Sequence, residues 1–115
     1  MITVGELVEW IIKHKRGKAF NYEAEIIQRE VCQAIADGVF VYSELNGEIE
    51  GVACGYRDER SHCVHIWDVL TTKQGVIQKF MARFLLVYPD WKITARRKGK
   101  DIVFNNPHKL HERLL

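Results

Sequence analysis

The chain has 115 residues, 47% of them hydrophobic and 28% charged, which allows one domain with its own core and removes any need for disulfide or metal staples. Three cysteines, an odd number without a CxxC pair, argue against a disulfide framework and for a reducing, cytoplasmic setting, and no apolar run approaches the roughly 20 residues of a bilayer-crossing helix. The formal charge of +2 is unevenly spread: residues 1–60 carry seven Lys/Arg against eleven Asp/Glu, and residues 61–115 carry ten against four. A basic C-terminal half suits a phosphorylated ligand, a nucleic acid or an acidic partner, or is simply a solvated surface.

Thr3 and Glu6 form a capping-box pair, and Val4, Leu7, Val8, Ile11 and Ile12 then recur at helical spacing, predicting a first helix over residues 4–16 with Gly17 as its stop. A second helix follows, capped by Asn21 and ended by Gly38, with Ile27, Val31, Ala34 and Ile35 on one stripe. Both stripes read as cover for a sheet. Residues 39–45, VFVYSEL, are a strand by composition; Asn46-Gly47 is a strong hairpin signal, and a return strand runs from Glu48 to about Tyr56. Gly51 and Gly55 within it mark either a bulge or a close backbone approach, or are merely tolerated. After a polar turn at 58–61, His62–Leu70 is a third strand, on which alternation puts Cys63, His65, Trp67 and Val69 on one face.

A polar loop leads into an amphipathic helix over residues 76–88, stopped by Pro89. Trp91–Arg96 is the next strand, Lys98-Gly99-Lys100 turns it into a last strand at 101–104, and Asn106-Pro107 opens a short terminal helix. The order α-α-β-β-β-α-β-β-α predicts a single α+β domain, a mixed but mainly antiparallel sheet with helices on both faces. Its organising unit is the strand–loop–helix–strand crossover of residues 62–95, which leaves backbone N–H groups free around Gln74 to Gln78, where an anion can bind.

At that crossover the sequence resembles the GNAT superfamily, the N-acetyltransferases that use acetyl-CoA. The element order carries the resemblance across nearly the whole chain, and motif likeness lies within residues 66–87. Gln74 and Gly75 open a stretch placed like the family's Q/R-x-x-G-x-G/A loop. The resemblance implies an acyl-CoA-dependent acetyl transfer to an amine. It implies acetyl-CoA held in a splay between two strands, its pantetheine pairing with the third strand near Val69 and Leu70 and its pyrophosphate on N–H groups of Gln74, Gly75, Val76, Ile77, Gln78 and Lys79. Ile77 and Lys79 stand where the pattern has small residues, and a Cβ there crowds a pyrophosphate. His65 falls where some members place a general base, and an imidazole titrates in the right range to take a proton from an ammonium acceptor. The family's frequent acid, a tyrosine after the fourth strand, has no counterpart, because residues 96–115 contain no Tyr. Small, eroded members of the superfamily, some of them pieces of bacteriophage proteins, keep the architecture without the chemistry, so a silent binding or structural module is the alternative within the same fold.

A second class of reading uses Arg96, Arg97, Lys98 and Lys100 at the predicted hairpin tip, with Trp91 and Phe104 near in sequence, as a nucleic-acid contact. A charged tip that keeps a sheet edge soluble accounts for the same residues. His62, Cys63, His65, His108 and His111 lack the spacing of a zinc site, so no metal is expected. Cys63 beside His65 is an unspecific candidate nucleophile.

Overall fold

The computed structural model describes residues 2–15, 20, 23–97 and 100–107, with Arg97 described by its backbone alone. Helix α1, Val4–His14, begins as the sequence dictates: the Thr3 hydroxyl accepts from the Glu6 N–H at 3.1 Å, and the Thr3 N–H donates to Glu6 Oε1 at 3.4 Å. Helix α2, Ala24–Asp37, ends at Gly38 in the left-handed region, at φ 74°. Its N-cap position is Glu23, which makes no side-chain cap bond; the predicted cap Asn21 and stop Gly17 lie outside the described residues.

Strand β1, Phe40–Leu45, turns through Asn46 and Gly47 into β2, Glu48–Asp58, and both turn residues have positive φ, 53° and 81°. A polar turn leads to β3, Cys63–Thr71; α3, Val76–Val87, crosses over to β4, Lys92–Arg97; and β5, Lys100–Asn105, returns. The sheet order is β1-β2-β3-β4-β5, antiparallel except for the β3–β4 pair. This is the predicted α+β architecture. The hairpin signal and the crossover together decide it, because a parallel pair requires a long connection. The terminal helix expected after Pro107 lies outside the described residues.

Helices cover both faces. α1 and α2 bury Leu7, Ile11, Ile27 and Val31 against Val52, Cys54 and Leu70. On the other face α3 buries Val76, Phe80 and Phe84 against Ala53, Val64, Ile66 and Ile93. Ile93 of β4 and Phe104 of β5 still pack with the α3 core, while Ile102 and Val103 are exposed.

One irregularity overturns the expected face of Val69. Cys54 pairs with Asp68 while Gly55 pairs with Ile66, so Trp67 is an extra residue, a β-bulge in β3. Beyond it the alternation reverses: Cys63 and His65 face the α1/α2 side, whereas Val69 packs with the α3 core. Gly55 makes the bulge feasible, because a Cβ there would overlap the His65 carbonyl. Gly51 has the same need, since a Cβ would meet Thr71 Cγ2 and Val76 Cγ1 at 3.0 Å. Of the readings open for these glycines, the close approach holds at both, and the bulge reading holds as well, since the β1–β2 register shifts at Glu50 beside Gly51 and the β2–β3 register shifts at Gly55.

Candidate functional site

β3 and β4 run parallel only from Cys63–Lys92 to Ile66–Ala95. β3 continues five residues further, to Thr71, and β4 two, to Arg97, without pairing with each other. The bulge explains why. It increases the local twist of β3 at the residue after the last pair, turning the strand out of register with β4. The parting leaves main-chain groups of residues 67–71 on the β4 side without a strand partner, and Val69 and Leu70 lie in this stretch.

The β3–α3 loop follows at the wide end of this opening. Thr72 donates from both its N–H, at 2.9 Å, and its hydroxyl, at 3.2 Å, to the Glu50 carbonyl, which fixes the start of the loop. Gly75 occupies the α3 N-cap position at φ 89°, a conformation that favours glycine, and open space lies where its Cβ would be. α3 has no side-chain cap and no acidic residue in its first turn. The N–H groups of Val76, Ile77 and Gln78 therefore face outward with the positive end of the helix dipole behind them. The Lys79 N–H, expected among them, instead donates to the Gly75 carbonyl at 3.3 Å as the first bond of the helix.

Val76 is buried on Gly51 and anchors the turn, while Gln74, Gln78 and Lys79 are exposed and Ile77 is 38% exposed. The Lys79 side chain lines an open cavity of about 470 Å³ with Phe40, Tyr42 and Arg83, at the β1 side of the helix. Its charge, with that of Lys73, helps hold the Glu50 carboxyl below its usual range, where the Ser43 hydroxyl bond is the larger cause. Lys73, 3.5 Å from Glu50, is a loop cation without a signal of its own in the sequence, because nothing near it indicates a carboxylate so far back along the chain.

His65 sits at the narrow end of the opening, one pair before the last, and faces the α1/α2 side. Its Nδ1 is 2.7 Å from Thr94 Oγ1 and 3.8 Å from Cys63 Sγ, and its ring lies tilted at 35° against Tyr56, 4.9 Å between centres. One ring nitrogen is thus engaged by the neighbouring strand, which fixes the orientation of the other. Cys63 as a nucleophile is overturned: it is 3% exposed, and burial pushes its thiol up instead of activating it. Cys54 is likewise buried with a raised pKa.

Beside the bulge, Asp68 is 6% exposed and accepts from the Phe20 N–H at 3.1 Å, and its carboxyl meets that of Glu30 from α2. Glu30 Oε2 and Asp68 Oδ2 are both buried without another partner among the described residues, so a proton held between them satisfies both. Burial chiefly, then Asp68, pushes Glu30 up to about 9, so Glu30 carries that proton. A glutamate on the stripe flank of α2 reads as solvated in sequence, and only the packing pairs it with Asp68.

Arg96 lies outside the α3 loop region. Its guanidinium is 5.2 Å from the centre of the Trp67 ring, which itself stacks on Tyr56 at 5.9 Å. Lys100 and the Arg97 backbone are at the β4–β5 hairpin, and Lys98 lies outside the described residues. Arg96 is thus drawn to the sheet face, away from Trp91 and Phe104, which pack with the α3 core. Among the described residues there is no group of three or more His, Cys, Asp or Glu placed to hold a metal, and no helix is long and apolar enough to cross a membrane.

Comparison with known proteins gives no matching family model and no matching curated protein. A solved structure does match: a crystal structure from Desulfovibrio desulfuricans described as a "putative acetyltransferase of the GNAT family", with a TM-score of 0.61 at 15% identity, covering 94% of this chain and 72% of that one. The fold is GNAT-like.

Proposed function

We propose that this domain binds an acyl-CoA between β3 and β4 and transfers its acetyl group to an amine. The observation that carries this reading is the parting of β3 from β4 beside an α3 N-terminus that has neither a cap nor an acid in its first turn. The residues present fit such a ligand. The open main chain of Val69 and Leu70 suits the two amides of a pantetheine arm, and the N–H groups of Gly75 to Gln78 suit a pyrophosphate. Gly75 leaves room for close approach, the Lys79 side chain lines the cavity towards β1, and Ile77 is partly exposed beside the turn.

Bound acyl-CoA would supply an activated thioester. The protein's share is to strip the proton from the acceptor and to hold the two reactants in line. His65 would take that proton: Thr94 engages its ring, and it stands at the narrow end of the opening, which supports this role. The amine would give up its proton to the imidazole as its bond to the acetyl carbon replaces the thioester bond, and residues 96–115 hold no tyrosine to protonate the departing thiolate.

The same absence favours a second reading, a module that binds the ligand or a partner without transferring the group. Calorimetry with acetyl-CoA, followed by thiol release in the presence of amines, separates the two. Binding with thiol release supports the enzyme, binding alone supports the module, and no heat at millimolar acetyl-CoA removes both ligand-based readings. The cytoplasm suits three free thiols.

A further inference from the structure

On the α1/α2 side of the opening the sheet carries a short wall of side chains that neither core absorbs. Tyr56 and Trp67 are 38% and 41% exposed yet stacked on one another at 24° between planes. His65 continues the row at 4.9 Å from Tyr56, and Thr94 is joined to it. Arg96 stands across the opening from Trp67: Ile66 and Ala95 are the last β3–β4 pair, and these two are the next residues on each strand. Among the described residues, α1 and α2 make their sheet contacts mainly with β1 and β2.

The charges on the wall discriminate among acceptors. By register Lys92 and Arg96 share this face with Asp58 and Asp101. The Asp58 carboxylate is occupied by the N–H groups of Arg60 and Ser61, and no carboxylate among the described residues forms an ion pair with Arg96. Asp101 is opposite Arg96 by register but is not ion-paired with it, and a guanidinium lying over an indole without an ion pair repels a second cation and offers its planar fork to an acid. A polyamine approaching His65 would meet Arg96 as a like charge. An amine that also bears a carboxylate would have it paired, and a flat body would cover Trp67 and Tyr56.

Resting on the acetyl-transfer reading, we infer that the acceptor is a small amine bearing both a flat ring and an anionic group, seated on Tyr56 and Trp67 with its acid on Arg96. Such a molecule is of the aromatic amino-acid or aminobenzoate type. The row from Tyr56 to Arg96 is a specificity wall, and its residues bind without touching the reacting atoms, apart from His65.

The test measures binding and turnover separately on the full chain. L-phenylalanine, 4-aminobenzoate and spermidine are each titrated calorimetrically, with and without saturating CoA, into the wild type, Arg96→Ala and Trp67→Ala. The expected result is binding of the two acidic ring compounds and weak or no binding of spermidine. Arg96→Ala should weaken the acids at least tenfold, the loss of one charged hydrogen bond, and leave acetyl-CoA affinity unchanged. Thiol release, where it occurs, should show the same change in KM with kcat held. Arg96→Glu should reverse the preference towards spermidine. Preferential binding of spermidine by the wild type, or acid binding indifferent to both substitutions, or no binding of any probe, overturns the proposal. Because the probes are read directly, acid binding that obeys these rules in a chain that ignores acetyl-CoA would discard the transfer chemistry and keep the wall.

Discussion

The backbone of Gly55 runs so close to the His65 carbonyl that the two strands admit no side chain at that point. Gly55 pairs with Ile66, the last β2–β3 pair on that side of the bulge, and the parting of β3 from β4 begins just beyond it. Gly55→Ala must therefore push β2 and β3 apart at the point that shapes the opening. A loss of about 2–4 kcal/mol is expected in urea unfolding, in the upper range for overpacking. Gly47→Ala, at a turn with nothing near its Cβ, should cost less, about 1 kcal/mol from its positive φ alone. Equal losses at the two sites would contradict the close approach.

The Glu30–Asp68 pair gives stability a pH dependence of known sign. Glu30 ionises near 4.5 in a solvated chain and near 9 in the fold, so the folded state holds one more proton between those values. Stability should fall as pH rises through that window, and the loss should be complete above about 9. Glu30→Gln retains a donor towards Asp68 and carries no charge. Its unfolding free energy should exceed that of the wild type by a margin that grows from pH 5 to 9, reaching about 1–3 kcal/mol. A margin independent of pH would show that Glu30 is ionised in the fold.

At the α3 turn, Gly75→Ala meets no atom but strains a backbone at φ 89°. The fold should lose about 1 kcal/mol, while acetyl-CoA affinity should fall by more than that strain because the N–H groups are re-aimed. Gln78→Asp tests the same site by charge: an acid in the first turn should stabilise the apo chain by about 0.3–1 kcal/mol and weaken the anionic ligand. Calorimetry in which both variants match the wild type would move the ligand elsewhere.

His65→Gln should lower kcat by about 10²–10⁴-fold with acetyl-CoA affinity unchanged, since the side chain faces away from the main-chain edge proposed to hold the ligand. Thr94→Val frees the ring without removing it. It should lower kcat less and shift the pH–rate profile, whereas a purely structural His65 would leave that profile in place.

Tyr88 ties the end of α3 to the end of α2, its hydroxyl donating to the Gly38 carbonyl at 2.7 Å. Tyr88→Phe should cost about 1 kcal/mol without altering ligand binding.

The local sequence determined a good deal by itself. Thr3 with Glu6, the apolar spacing of both N-terminal helices, Asn46-Gly47 and the length of the connection through α3 are signals exchanged within a few residues, and each element they predict is present within a residue or two of its expected ends. What lay beyond reach were relations between distant residues. The bulge at Trp67 depends on how β2 and β3 align, and it moved Val69 to the opposite face from His65, a reversal that strict alternation cannot foresee. The partner of His65 is Thr94, the partner of Glu30 is Asp68, and Arg96 reaches Trp67 across two strands. Pattern along a chain encodes local geometry and which face is apolar. Which polar groups meet, and where two strands cease to pair, is decided only when twist, packing and desolvation act on the whole sheet together.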